Sequence, residues 1–315
     1  METNESQRFS PVLITGSVML VPTLMLLIGY VLFPWPLRPI DYPVVYTPLF
    51  LGLILLGIGT LLKPVRYGHI VKIIGWGSFA FYWALMPNFL YFSEDSDVFN
   101  AAVCIIGIYV LCYFAYHEWL SLQRKEHVSC LQWIAGGTAL AGLIYFIIEK
   151  TVVADWLIQL VTQQSGWLFN IVVGGGVEAI ERSIFYNGTF VVNIIFACTA
   201  VQAMVLFVGM ILPLPRVPAL RKLASILLTV IPIYILNLGR NALISLLVKN
   251  DPDLFFIAHN VIGKIGALLV LIGLLYIMFK ILPELFDEIM CIVDLPKRNG
   301  PVEHSISSII GKKKT

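Results

Sequence analysis

Charge is what this chain has least of. Only 13% of its 315 residues are Asp, Glu, Lys or Arg, against 58% hydrophobic, whereas about a quarter is usual for a soluble domain. So few charges cannot cover a water-facing surface of this size, which excludes a soluble enzyme and leaves apolar surface facing lipid. A mean hydropathy of +0.86 agrees. The formal net charge is +2 and no basic patch is interleaved with aromatics, so no nucleic-acid partner is expected. The near balance of acid and base also argues against a cytoplasm that demands strongly acidic proteins. Five cysteines (Cys104, Cys112, Cys130, Cys198 and Cys291) are odd in number, and at least three lie in apolar runs. That argues against a disulfide framework and assigns most of them to packing. No internal repeat is visible, and no connection accommodates a soluble domain. The first apolar run, Val12 to Phe33, lacks a small-residue cleavage site and is too long for a signal-peptide core, so it reads as a retained span.

What is present is length of apolar run. Covering about 30 Å of hydrocarbon takes about 20 residues, and eight runs qualify: 11–33, 43–62, 70–92, 99–121, 129–148, 190–212, 222–248 and 254–282. The expected fold class is all-α, a polytopic transmembrane helical bundle of about eight spans. Residues 152–172 carry Asp155, Gln159, Gln163 and Gln164 and read as an interfacial or re-entrant helix. Four regions follow: a five-span membrane region over 1–148, an extracellular loop over 149–189, a three-span core over 190–282, and a charged cytoplasmic tail over 283–315.

Cations near span ends give the orientation, because cytoplasmic connections accumulate Lys and Arg. Lys63, Arg66 and Lys72 mark one connection, Arg124 and Lys125 another, and Arg216, Arg221 and Lys222 a third. The tail adds Lys297, Arg298, Lys312, Lys313 and Lys314. Alternate connections carry Glu94, Asp95 and Asp97, or Asp251 and Asp253 against Lys249. Both termini are therefore expected in the cytoplasm, with the 149–189 loop outside. That loop holds Gly174, Gly175 and Gly176, which permit tight turns over a site or serve a flexible surface loop. It also holds a glycosylation-type triplet, Asn187-Gly188-Thr189.

On this orientation three residues share a depth in the outer leaflet. Cys198 lies about eight residues from the outer end of the sixth run, roughly 12 Å at about 1.5 Å per residue. Arg240 is about as far from the outer end of the seventh, and His259 about five residues into the eighth. Arg240 is always charged, and mid-membrane arginine costs about 2.5–3.5 kcal/mol. It either snorkels or serves a site, and Asn237 and Asn241 beside it give that helix a polar lining. Cys198 alone is far more readily a packing residue than a nucleophile. Thr199 follows it, Gln202 four residues on would share its helical face, and a nearby guanidinium favours the thiolate. His259, followed by Asn260 and Lys264, is either a hydrogen-bonded helix residue or a proton carrier. Cysteine, imidazole and a cation together suit acyl transfer.

These segments, Phe196-Ala197-Cys198-Thr199-Ala200, Asn237-Leu238-Gly239-Arg240-Asn241 and Phe256-Ile257-Ala258-His259-Asn260, resemble the exosortase/archaeosortase family of membrane transpeptidases, and within it the archaeal branch. The resemblance covers about residues 165–285. It implies Cys198 as nucleophile, Arg240 as active-site cation and His259 as third member, with no metal and no cofactor. It implies an archaeal cell membrane, a site toward the extracellular face, and substrates that are surface (S-layer-type) proteins. Those proteins carry a C-terminal signal of a short Pro-Gly-Phe motif, a hydrophobic span and a basic tail, and cleavage is linked to attaching a lipid anchor from a lipid-linked nucleophile. The competing class is a transporter or channel with Arg240 and His259 lining its path; it calls for repeats and broken helices. A glutamate-dependent protease using Glu178 and Glu181 lacks its further motifs, and His69, His117, His127 and His304 stand away from His259, which leaves no zinc set there.

Overall fold

The computed structural model describes residues 11–36, 42–62, 65–92 and 97–309; Lys63, Glu94, Asp95 and Lys312, Lys313 and Lys314 lie outside them. Helices dominate because lipid offers backbone N–H and C=O groups no partner, so each segment must satisfy its own. Among the described residues seven helical stretches are long and apolar enough to cross a membrane: Val12–Leu32, Pro43–Leu61, Arg66–Phe92, Val98–Arg124, Ser129–Glu149, Ala219–Val248 and Pro252–Ile281. The chain is a multi-pass helical membrane protein. It divides into two compact units, Met1–Ala139 with Glu288–Thr315, and Leu140–Asp287.

The first unit contains α1 (Pro11–Leu32), α2 (Tyr42–Leu61), α3 (Val65–Phe92), α4 (Val98–Arg124) and the start of α5 (Ser129–Glu149). Glycines let α2 and α3 approach closely: a Cβ on Gly52 would fall 2.7 Å from the Phe79 nitrogen, and one on Gly75 3.0 Å from that of Leu56. Small residues are the usual device for helix contact in lipid. Asp97 caps α4 by accepting the Asn100 N–H at 3.2 Å. The C-terminal segment returns to this unit as a folded element. The end of α10 (Pro283–Val293) leads through a turn at Leu295–Arg298 into α11 (Pro301–Ile309). Thr15 of α1 donates to Ser305 at 2.9 Å.

Two polar networks are buried here. Glu118 lies between His69 Nδ1 at 2.5 Å and Lys72 Nζ at 2.8 Å, all three almost wholly buried. Lys72 also donates to Gln132 Oε1 at 3.0 Å, and Gln132 donates to the Thr60 carbonyl. In the second, Glu303 accepts from Tyr113 at 2.7 Å, Tyr116 at 3.0 Å and the Gly300 N–H at 2.9 Å. Burial alone would raise the Glu303 carboxyl, but His117, 3.5 Å away, and the hydrogen bonds from the two tyrosines outweigh it and hold it down at about 2. Arg298 donates to Ser121 Oγ at 3.0 Å and pairs with Glu126 at 2.8 Å. The cysteine reading needs correction, since Cys130 and Cys291 are joined as a disulfide across 161 residues. Cys104, Cys112 and Cys198 are free. Sequence spacing could not reveal a pair that only the returning C-terminal segment brings together.

The second unit contains α6 (Val152–Val173), a three-stranded antiparallel sheet of β1 (Val177–Ile180), β2 (Ser183–Tyr186) and β3 (Thr189–Asn193), then α7 (Val201–Ile211), α8 (Ala219–Val248) and α9 (Lys264–Ile281). Gly174 ends α6 in the left-handed region, its N–H donating to the Asn170 carbonyl. Asn187 and Gly188, at φ 50° and 76°, form the tight turn between β2 and β3, which requires positive φ at both positions. Glu178 stands exposed on β1, and Glu181 is exposed in the following turn.

The run expected to span at 190–212 is not one helix. Its first part is β3, followed by a 3₁₀ turn at Phe196–Thr199, and only 11 residues form α7. At about 1.5 Å per residue α7 covers roughly 16 Å, about half the hydrocarbon thickness. Hydropathy is blind to this break, because Phe190, Val191 and Val192 are as apolar as helix residues yet favour a strand.

Candidate active site

The break in the sixth run creates the seat of Cys198. After β3 the chain tightens into the 3₁₀ turn, with the Cys198 N–H donating to the Ile195 carbonyl at 2.8 Å. Thr199 Oγ1 donates to the Phe196 carbonyl at 2.7 Å, so this hydroxyl serves its own turn. Ala200 then takes φ 60°, ψ 10°, a left-handed conformation that costs a residue with a Cβ roughly 1–2 kcal/mol. The reversal swings the chain into α7 and leaves Cys198 buried. It also separates Cys198 from Gln202, which is exposed on α7. The expected shared helical face does not exist, because the i, i+4 relation holds only within one helix.

Opposing this turn is one turn of α8. Asn237, Arg240 and Asn241 stand at i, i+3 and i+4, hence on one face. Asn237 Nδ2 donates to the Cys198 carbonyl at 2.7 Å and Asn241 Nδ2 donates to the same oxygen at 3.1 Å. Both asparagines are buried. Two donors on one carbonyl satisfy both its lone pairs and fix the peptide that carries the thiol. Asn241 also donates to Ser165 Oγ of α6 at 3.4 Å. A turn earlier on α8, Tyr234 donates to Gln164 Oε1. Phe169, Ile184, Val192, Ile194 and Ala242 form the apolar cluster around Cys198.

Arg240 joins this seat to the next segment. Burial pushes the Cys198 thiol up, and the charge of Arg240 works in the opposite direction without outweighing it. The Arg240 Nε donates to the Gly263 carbonyl at 3.2 Å. A Cβ on Gly263 would fall 2.9 Å from that Nε, so the guanidinium's approach depends on glycine there. Gly263 closes the π-helical turn Ile257–Gly263 that carries His259. A π turn inserts an extra residue and is found preferentially at functional positions. His259 is half-buried, its ring stacked on Phe255 with centroids 5.2 Å apart and 12° between planes. Asn260 belongs to the same turn; its side chain lies outside the described residues.

The structure thus brings together Cys198, Asn237, Asn241 and Arg240, ties Arg240 to the turn bearing His259, and leaves Gln202 aside. Ser165, Gln164 and Tyr234 were missed from the sequence. The glutamines of 152–172 were read only as marks of an interfacial helix, although a polar face on α6 also signals something polar opposite.

The chain is similar to archaeosortase A of Natronomonas pharaonis, 26% identical over 257 residues that cover 70% of this chain and 79% of the relative. No family model matches the chain. No solved structure matches it.

Proposed function

We propose that this chain is a membrane-embedded cysteine peptidase or transpeptidase of archaeosortase type, acting at the outer membrane face on the C-terminal signals of surface proteins. The observation that carries the reading is the double clamp of Asn237 and Asn241 on the Cys198 carbonyl, with Arg240 one position away on the same face of α8. The clamp fixes the peptide that carries the thiol, as a positioned nucleophile requires. The similarity to an archaeosortase A supports the same class.

In the proposed reaction the Cys198 sulfur, having lost its proton to His259, attacks the scissile peptide carbonyl and forms a C–S bond. Negative charge developing on the carbonyl oxygen is stabilised by the Arg240 guanidinium. Collapse breaks the C–N bond, and His259 delivers the proton to the leaving amine nitrogen. The resulting thioester is resolved by the hydroxyl of a membrane lipid or lipid-linked nucleophile, which restores the thiol and transfers the protein to its anchor; water in that role gives hydrolysis. Thr199, Asn237, Asn241 and Ser165 position the thiol. No metal or cofactor takes part in the proposed reaction. A substrate held by one span with its basic tail inside presents its short motif at the depth of this site.

The test is coexpression with a tagged surface protein bearing a Pro-Gly-Phe signal, span and basic tail. Wild type is expected to remove the tail, whereas Cys198→Ala, Arg240→Ala and His259→Ala leave it in place. Undiminished processing by the Cys198→Ala chain would sink the thiol mechanism and favour a transport role for Arg240 and His259.

A further inference from the structure

One cluster of metal-ligating side chains takes no part in that chemistry. Cys130 stands in the first turn of α5 and Cys291 near the end of α10, and Glu288 precedes Cys291 by one turn, on the same helical face. A carboxylate oxygen of Glu288 and the two sulfurs all lie within 4.8 Å of one another. Cys130 and Glu288 are buried. The cysteines belong to an apolar cluster with Leu131 and Leu295, bordered by Phe114 and Ile292.

Besides pairing with each other, the two sulfurs stand with the buried Glu288 carboxylate around one point. Once the disulfide is reduced, two thiolates and a carboxylate are a donor set for zinc. Calcium and magnesium take oxygen donors alone, and copper(I) favours sulfur. The cluster also adjoins the Arg124–Lys125 connection, which the charge bias assigns to the cytoplasm, where thiols are kept reduced.

We propose that Cys130, Glu288 and Cys291, with both thiols reduced, bind Zn²⁺ and so fasten the C-terminal segment to α5, water completing the coordination. Disulfide and metal forms interconvert through an external dithiol. It gives two electrons to the S–S bond, each sulfur gains a proton, and the dithiol becomes a disulfide. Zn²⁺ then displaces the two thiol protons, so occupancy rises with pH. The proposal is independent of the chemistry at Cys198.

The full-length protein in detergent, reduced and desalted without oxygen, is titrated with Co²⁺ as a spectroscopic substitute. One equivalent per chain is expected to give tetrahedral ligand-field bands and thiolate-to-cobalt charge transfer, both lost on adding Zn²⁺. Cys130→Ser and Cys291→Ser each abolish the spectrum, while Glu288→Gln keeps the helical circular dichroism and weakens binding by about tenfold or more. An absent spectrum, or one retained by the double cysteine variant, overturns the site. Mass spectrometry of protein isolated with its thiols blocked at lysis should find Cys130 and Cys291 reduced. Finding them wholly disulfide-bonded in cells overturns the proposal independently of how any variant folds.

Discussion

Both units hold a cation and a histidine, buried in the first and half-buried in the second, and they use them in opposite ways. In the first unit Lys72 and His69 flank one carboxylate, Glu118, and the three side chains face one another out of water. In the second, Arg240 has no carboxylate partner among the described residues; it holds a backbone carbonyl and acts on a thiol. A closed set of opposite charges has its field spent internally and works as a fastening. A cation paired only with a carbonyl keeps most of its field for whatever enters. The difference teaches that an ionisable residue within a membrane marks a working site only once its partners are known.

The comparison breaks first at Cys198. Cys198→Ala should abolish processing of a tagged substrate while leaving the melting temperature in detergent unchanged, since little more than a sulfur atom is lost from an intact turn. Arg240→Lys should lower the processing rate by about 10²–10³-fold, because a lysine cannot hold Gly263 and face the oxyanion at once. It too should leave the melt nearly unchanged. The first unit predicts the reverse split. Glu118→Ala should remove about 3–5 kcal/mol of stability by stranding the buried Lys72 cation and leaving His69 without its partner. The surviving folded fraction should process normally. Replacing Lys72, His69 and Glu118 together by apolar residues of similar size should recover most of that loss, measured by thermal unfolding.

Smaller effects sharpen the contrast. Asn237→Ala and Asn241→Ala each remove one of two donors to a carbonyl, worth about 1 kcal/mol of stability. Their effect on rate should exceed their effect on melting, because a loosened peptide misplaces the thiol. At Glu303 the carboxyl is held near 2 when folded, against 4.5 as its ordinary value. The folded state therefore binds the proton less readily. The fastening it provides is complete above about pH 4.5 and is lost as pH falls from there toward 2. Hydrogen exchange of α11 should quicken over that window in wild type, and Glu303→Gln should flatten the dependence.

Hydropathy made the seven long spans legible, and the Asn-x-x-Arg-Asn pattern on an apolar helix made the polar face of α8 legible. Three things were not. The sixth run conceals a strand, a 3₁₀ turn and a left-handed alanine, because hydropathy measures transfer from water and carries no backbone information. The C-terminal segment was read by its charges as a tail, yet Glu303 and Arg298 find partners on α4, about 180 residues earlier in sequence. His69 and His117 were set aside as inner-face residues. Glu118 inside an otherwise apolar run was the available signal that something basic had to meet it. At the site, the polar face of α8 reaches backbone carbonyls at Cys198 and Gly263 as well as the side chains of Ser165 and Gln164, and no side-chain pattern announces the carbonyls.

That last feature has a practical side. Because Asn237 and Asn241 grip the main chain of residue 198 and leave its side chain untouched, the seat is indifferent to what is mounted on it. Cys198→Ser should occupy the same place with a far poorer nucleophile, giving a chain that still receives its clients but lets few of them go. Used as bait in native membranes with crosslinking, it offers a direct route to identifying those clients.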